Sequence, residues 1–258
     1  MYSLIGDIGN TITKICLIEL KTFKIIKIVY FNSIKINSNA FLKKNVKRII
    51  KNKNINRFAL FSSVVPKYHF MFKKFLKKIY KIQLKEIKEK GIQKIVKINI
   101  KNKNQVGSDR IANAAGVYKK YKSNCIVLDF GTATTFDVVT KNGIYNGGII
   151  APGVNLSIKS LIKSADQIPI FSIKRQKKIV GKNTIEALRS GFYLGYSGLI
   201  NSVISKIEKE TKKKYKIIFT GGYADLFKTS ITRPFRVDKN ITIRGIIEIF
   251  KENKKYLN

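Results

Sequence analysis

Apolar positions recur with two different periods along this chain, and the change from one to the other marks its elements. The run Ser3-Leu4-Ile5-Gly6 leads into the polar Asp7-Ile8-Gly9-Asn10-Thr11, followed by alternating and apolar stretches from Ile12 to Leu20 and from Phe23 to Phe31. A period of two predicts strands, so the opening reads as a strand, a tight turn and a returning hairpin. Phe58-Ala59-Leu60-Phe61-Ser62-Ser63-Val64-Val65 reads as a buried strand, and Pro66 fits its end. The period then becomes helical over Tyr68 to Lys81, and the run Lys73 to Lys85, with Phe72, Phe75, Leu76, Ile79 and Ile82 interleaved, reads as one amphipathic helix with a lysine face. A second helix is predicted from Arg110 to Tyr121, small on one side through Ala112, Ala114, Ala115 and Gly116. A third runs from Thr184 to Glu210, interrupted near Gly195 and Gly198. Ile217-Ile218-Phe219 forms a strand running into Thr220-Gly221-Gly222.

The opening pattern occurs twice. Ile126-Val127-Leu128 leads into Asp129-Phe130-Gly131-Thr132-Ala133-Thr134-Thr135, then Phe136 to Thr140, and Asn142-Gly143 predicts a type I′ hairpin before Ile144. Asp followed by Gly two residues later falls at the same point of both units, 122 residues apart. An internal duplication of one α/β unit is the economical reading, and it predicts two related lobes, 1–116 and 117–258, with no long linker.

Composition changes this picture little. With 44% hydrophobic and 26% charged residues the chain is globular. Cys16 and Cys125 lie in apolar runs without a CxxC partner, so neither a disulfide framework nor a zinc site has its ligands, and a reducing, cytoplasmic setting is expected. No basic leader precedes Asp7, and lysines interrupt each longer apolar stretch before the ~18 residues of a membrane span. No membrane association is expected.

The charge needs discounting. Lys and Arg number 52 against 15 Asp and Glu, a net +37, which ordinarily suggests nucleic acid. Yet only 8 of the 52 are Arg, and the lysines are spread along the chain beside abundant Ile and Asn, all residues with A/T-rich codons. A solvated lysine coat is the favoured reading, with no specific nucleic-acid partner, because base readers favour Arg forks and clustered patches.

Against that scarcity of acids, two Asp-x-Gly turns at strand ends stand out. Gly9 lets the backbone approach a phosphate, Asn10 and Thr11 offer donors, and Asp7 can hold Mg²⁺ directly or through water. Two such hairpins with the Gly-rich Thr220-Gly221-Gly222 make the layout of the actin-like ATPase folds, whereas P-loop and Rossmann fingerprints are absent. Asp109-Arg110 reads in two ways: a general base beside a fork suited to a carboxylate, or a helix N-cap with a surface charge.

Six stretches, in this order, resemble the motifs of the type III pantothenate kinases: Asp7 to Thr11, Gly107 to Asn113, Asp129 to Thr135, Gly147 to Gly153, Gly181 to Thr184 and Thr220 to Gly222. The resemblance implies two RNase H-like lobes of the actin, Hsp70 and sugar-kinase type, with ATP in the cleft between them. It also implies a homodimer that phosphorylates pantothenate with ATP, using Mg²⁺ and K⁺ or NH₄⁺, in the first step of coenzyme A synthesis. Carried over by motif, Asp7, Ile8, Gly9, Asn10, Thr11, Ile12, Thr13, Lys14 and Thr132 bind ATP, and Asp129 ligates the monovalent cation. Gly107, Ser108, Asp109, Arg110 and Thr184 hold pantothenate, with Asp109 as general base. Two positions depart from the family: Ile100 stands where a pantothenate-touching Tyr is common, and Ser108 where Ala is usual. Ile100 keeps open an alternative, a nucleotide-binding accessory member without kinase activity. The single histidine, His69, and the two cysteines are expected to pack rather than react.

Overall fold

The computed structural model describes residues 1–176 and 178–253. In chain order its first elements are β1 (Tyr2–Ile8), β2 (Ile12–Glu19), β3 (Ile25–Asn32), α1 (Asn39–Ile50), β4 (Phe58–Ser63), α2 (Pro66–Tyr80), β5 (Gln83–Glu86), β6 (Lys97–Ile98) and α3 (Ser108–Tyr121). There follow β7 (Cys125–Phe130), β8 (Ala133–Val139), β9 (Ile144–Pro152), α4 (Val154–Ser164), α5 (Thr184–Thr211), β10 (Lys216–Gly221), α6 (Ala224–Phe227), β11 (Phe235–Val237) and α7 (Ile241–Glu252). They form two compact units. Among the described residues the first comprises Met1–Lys122, Asn142–Tyr145 and residues 240–253; the second comprises Ser123–Lys141 and Asn146–Lys239.

The first unit is built on a sheet of order β3-β2-β1-β4-β5. β1 is buried from Ser3 to Ile8 because it lies inside the sheet, antiparallel to β2 and parallel to β4. β3, at the edge, buries Val29 and Phe31 and exposes Tyr30 and Asn32, the alternation expected of a strand with one wet face. α2 starts two residues earlier than the periodicity predicts, with Pro66 in its first turn, where the missing N–H costs nothing. Of its apolar stripe Phe72, Phe75 and Leu76 are buried, whereas Ile79 faces solvent; the helix does not run on to Lys85 but stops at Tyr80, with Lys81 left-handed at φ +57°, so that Ile82 leads into β5.

α3 packs its small side on α7. A Cβ at Gly116 would stand 2.5 Å from the Ile241 carbonyl oxygen, and one at Gly245 would overlap the Ala112 carbonyl. This close approach corrects the expected division at 116/117: the chain returns to the first unit at Asn240, and the second unit begins at Ser123.

In the second unit the strands follow the order β11-β10-β7-β8-β9. β7 runs antiparallel to β8 and parallel to β10, over a core in which Phe130 stacks on Phe227 and meets Phe219 edge-on. The predicted interruption of the long helix is absent: α5 runs 28 residues through Gly191, Gly195 and Gly198. Those glycines lie on an open face, where an added Cβ would meet nothing, while Ile200, Ile204 and Ile207 anchor the helix in the core. Burial of these side chains offsets the ~1 kcal/mol that each glycine costs a helix. The connection expected as a two-residue type I′ turn is a longer one over residues 140–143, with only Gly143 in the left-handed region at φ +74°. Among the described residues no helix is long and apolar enough to cross a membrane.

Candidate active site

In the first unit the turn between β1 and β2 is held from beneath. Thr13 Oγ1 lies 2.9 Å from Ser33 Oγ, which donates to the Gly9 carbonyl at 2.6 Å. The Gly9 amide bonds the Ile12 carbonyl at 3.1 Å, and a Cβ on Gly9 would come within 2.9 Å of that oxygen. A glycine is therefore required to close the turn so tightly. Asn10, Thr11 and Ile12 are exposed on it, whereas Ile8 belongs to the core and Thr13 is engaged below the turn. Asp7, 9% exposed, stands opposite Lys14 on β2 and Ser62 on β4. Opposite residues share a sheet face, so a carboxylate, an ammonium and the buried Ser62 hydroxyl, which makes no hydrogen bond, gather beside the turn.

The start of α3 forms the second cluster. Gly107 is its N-cap and supplies no side-chain cap; Asp109 lies in the first turn, and its Oδ1 accepts the Arg110 amide at 2.8 Å. Asp109 is thus not the N-cap. Its Oδ1 sits 2.5 Å from where a Gly107 Cβ would be, so the absent side chain leaves room for the carboxylate. The positive end of the helix favours negative charge at this point. Ser108 is buried. The Arg110 guanidinium lies over the ring of Tyr145, 5.6 Å from its centroid. Ile100 is half-buried, two residues after β6. Sequence reasoning passed over Tyr145, because nothing local signals a contact across 35 residues of chain.

The second unit repeats the turn. Asp129 is again the penultimate residue of its strand, Gly131 follows it, and the Gly131 amide bonds the Ala133 carbonyl at 3.0 Å. A Cβ on Gly153 would overlap the Thr132 carbonyl, so the start of α4 packs against this turn. Gly221, at φ +85°, lies under Asp129: an added Cβ would stand 2.7 Å from Asp129 Oδ1. Thr220 is directly opposite Asp129 across the β7–β10 pair, and its buried hydroxyl makes no hydrogen bond. A carboxylate beside an unsatisfied hydroxyl is a hard-oxygen donor set suited to a cation. Thr184 opens α5 behind its N-cap Asn183, whose side chain accepts the Glu186 amide at 2.9 Å. Thr184 is exposed beside an apolar hollow of about 630 Å³ along α5.

The predicted site residues thus form two clusters in the first unit and two in the second, the turn around Asp129 and the start of α5. Among the described residues no group of three or more His, Cys, Asp or Glu side chains could hold a metal ion. A divalent ion would need oxygens from a substrate to complete its shell.

The sequence model of the type III pantothenate kinase family matches residues 3–206. The chain belongs to the type III pantothenate kinase family. A type III pantothenate kinase of Pelagibacter ubique is 49% identical over 244 residues, 95% of this chain and 96% of that one. Among solved structures, a Baf-family transcriptional activator from Campylobacter jejuni superposes with a TM-score of 0.60 at 22% identity, covering 98% of this chain and 99% of the other. The activator of 2-hydroxyisocaproyl-CoA dehydratase from Clostridium difficile, which carries bound ADPNP, reaches a TM-score of 0.56 at 14% identity, covering 99% and 96%. The fold of this family member is of the actin, Hsp70 and sugar-kinase type.

Proposed function

We propose that this chain transfers the γ-phosphoryl group of ATP to pantothenate, giving 4′-phosphopantothenate, the first committed product on the way to coenzyme A. The observation that carries the reading is the carboxylate of Asp109 beside Arg110 at the start of α3, in a chain that belongs to the pantothenate kinase family. Phosphoryl transfer is mostly positioning and charge stabilisation, so one base and a phosphate cradle suffice. Asp109 accepts the proton of the pantothenate hydroxyl as its oxygen bonds to the γ-phosphorus and the bond to ADP breaks. Arg110 receives the pantothenate carboxylate beside Gly107 and Ser108, and Thr184, at the start of α5, binds pantothenate in the same reading by its motif. Backbone amides and hydroxyls of Gly9, Asn10, Thr11 and Thr132 take the phosphates. Ile8 and Thr13 hold the turn from below, and Ile12 and Lys14 flank it.

Asp7 and Ser62 offer oxygens for Mg²⁺, which neutralises phosphate charge when bound. Asp129 and Thr220 suit a monovalent cation such as K⁺ or NH₄⁺. A homodimer belongs to the same reading, supported by the open apolar face of α5 around Gly191 and Gly195.

The test is ATP consumption by the purified protein with Mg²⁺, with and without pantothenate and K⁺, the product being identified by mass. Turnover that requires pantothenate and rises with K⁺ is expected. ATP binding without such turnover would overturn the reading in favour of an accessory family member. Asp109→Asn should keep the fold and ATP binding while losing roughly 10²-fold or more in turnover.

A further inference from the structure

The chain leaves β5 in a tight turn over residues 86–89. Its backbone is tied to the sheet, with the Ile87 amide on the Phe61 carbonyl at 2.9 Å, and closed on itself, with the Glu89 amide on the Glu86 carbonyl at 2.9 Å. Lys73 of α2 grips it from the other side through Glu89 at 2.8 Å. From this fixed turn Lys88 reaches across to the segment that precedes α3. Its Nζ donates to the carbonyls of Asn104 and Val106, both at 2.9 Å. Val106 is the residue before Gly107, the N-cap that has no side chain of its own.

Glu86 joins the same link. Its Oε2 accepts the Lys88 amide at 2.7 Å, and its Oε1 is buried and makes no hydrogen bond. Ser108, the residue after Gly107, is buried. Burial raises the Glu86 carboxyl above its ordinary range, while Ser108 and Lys88 pull it back down. Thus Lys88 meets the backbone before Gly107, and Glu86 holds the backbone of Lys88 itself.

We propose that Lys88 and Glu86 are positioning residues that set the backbone at 104–108, and through it the aim of Asp109 and Arg110. The proposal rests on the catalytic reading above. Asp109 Oδ1 fills the space over Gly107, so a shift of the Val106–Gly107 backbone moves the base itself. A misplacement of about 1 Å can cost a reaction ~10²-fold. Lys88 makes none of the ATP-side contacts, so its loss should be felt on one substrate only.

The experiment compares Lys88→Met, Lys88→Arg, Glu86→Gln and Asp109→Asn by steady-state kinetics with each substrate varied in turn, below the melting temperature of each variant. Lys88→Met should lower kcat/KM for pantothenate roughly 10-fold or more while leaving KM for ATP within about twofold. Lys88→Arg should recover part of the loss. A folded Lys88→Met enzyme with wild-type constants would overturn the proposal, as would equal losses on both substrates. If Lys88→Met does not fold, Glu86→Gln carries the test by the same criteria. Retained activity in Asp109→Asn would instead refute the catalytic reading, so the two failures are distinct.

Discussion

The Arg110 guanidinium rests on the face of Tyr145, a residue contributed to the first unit by the four-residue segment Asn142–Tyr145. The ring is 1% exposed and is held there because Lys97 and Ile98 pair with Ile144 and Tyr145, and the Asn99 amide bonds the Tyr145 carbonyl at 2.9 Å. A desolvated contact of this type is worth about 1–2 kcal/mol, and it fixes the plane of the guanidinium fork.

Replacing Tyr145 with Leu should therefore raise KM for pantothenate about 5- to 30-fold. Tyr145→Phe, which keeps the face, should change it much less. Measuring KM for both variants checks this; equal values for Leu and wild type would show that the ring does not orient Arg110.

Gly245→Ala tests the seam between α3 and α7. The new methyl group would collide with the Ala112 carbonyl and come within 2.9 Å of the Gly116 amide nitrogen, both backbone atoms that cannot rotate away. Overpacking of this kind costs about 2–3 kcal/mol. Thermal unfolding should show a melting temperature lower by roughly 4–12 °C. An unchanged melting point would mean that the helices separate at no cost.

His69 gives the stability a pH dependence. Its imidazole, 13% exposed, lies 3.7 Å from Glu89. Burial pushes its pKa below 6.5, against the opposing pull of Glu89, and Lys73 adds to the lowering. The folded state then binds this proton less tightly than the unfolded chain. Stability is complete above 6.5 and is lost as pH falls through 6.5 toward the folded value. Glu86 acts in the other sense: its raised carboxyl makes stability fall as pH rises between 4.5 and that raised value. His69→Gln removes the first contribution and leaves the second. The loss of melting temperature from about pH 7.5 to about pH 5.5 should be smaller in the variant, and equal losses would exclude His69 as the cause.

What the sequence revealed was local. Asp-x-Gly at a strand end followed by alternating residues dictates strand, turn and strand, and both copies fold that way around Asp7 and Asp129. Gly107 to Arg110 was legible for the same reason, since the helix begins within the motif itself. Readings that depended on distant contacts fared differently. α7 escaped notice because Ile241, Ile243, Ile246, Ile247 and Ile249 are β-branched and Gly245 interrupts them, so intrinsic preference opposes a helix. Packing on α3 overrides that preference. The glycines of α5 suggested a break, but the buried isoleucines beyond them hold the helix straight through. Tyr145 and Lys88 matter only through atoms brought to them by the fold.

The return of α7 to the first unit inverts the order in which the two units can mature on the ribosome. The first unit emerges first but lacks the helix that covers α3 until every residue of the second has been made. Domains tend to fold as they emerge, so the second unit can finish while the face of α3 around Ala112 and Gly116 is still bare. A chain cut short before Ile241 would carry all the motif residues and still leave the helix bearing Asp109 without its support. Completion of synthesis is then a precondition for a finished base.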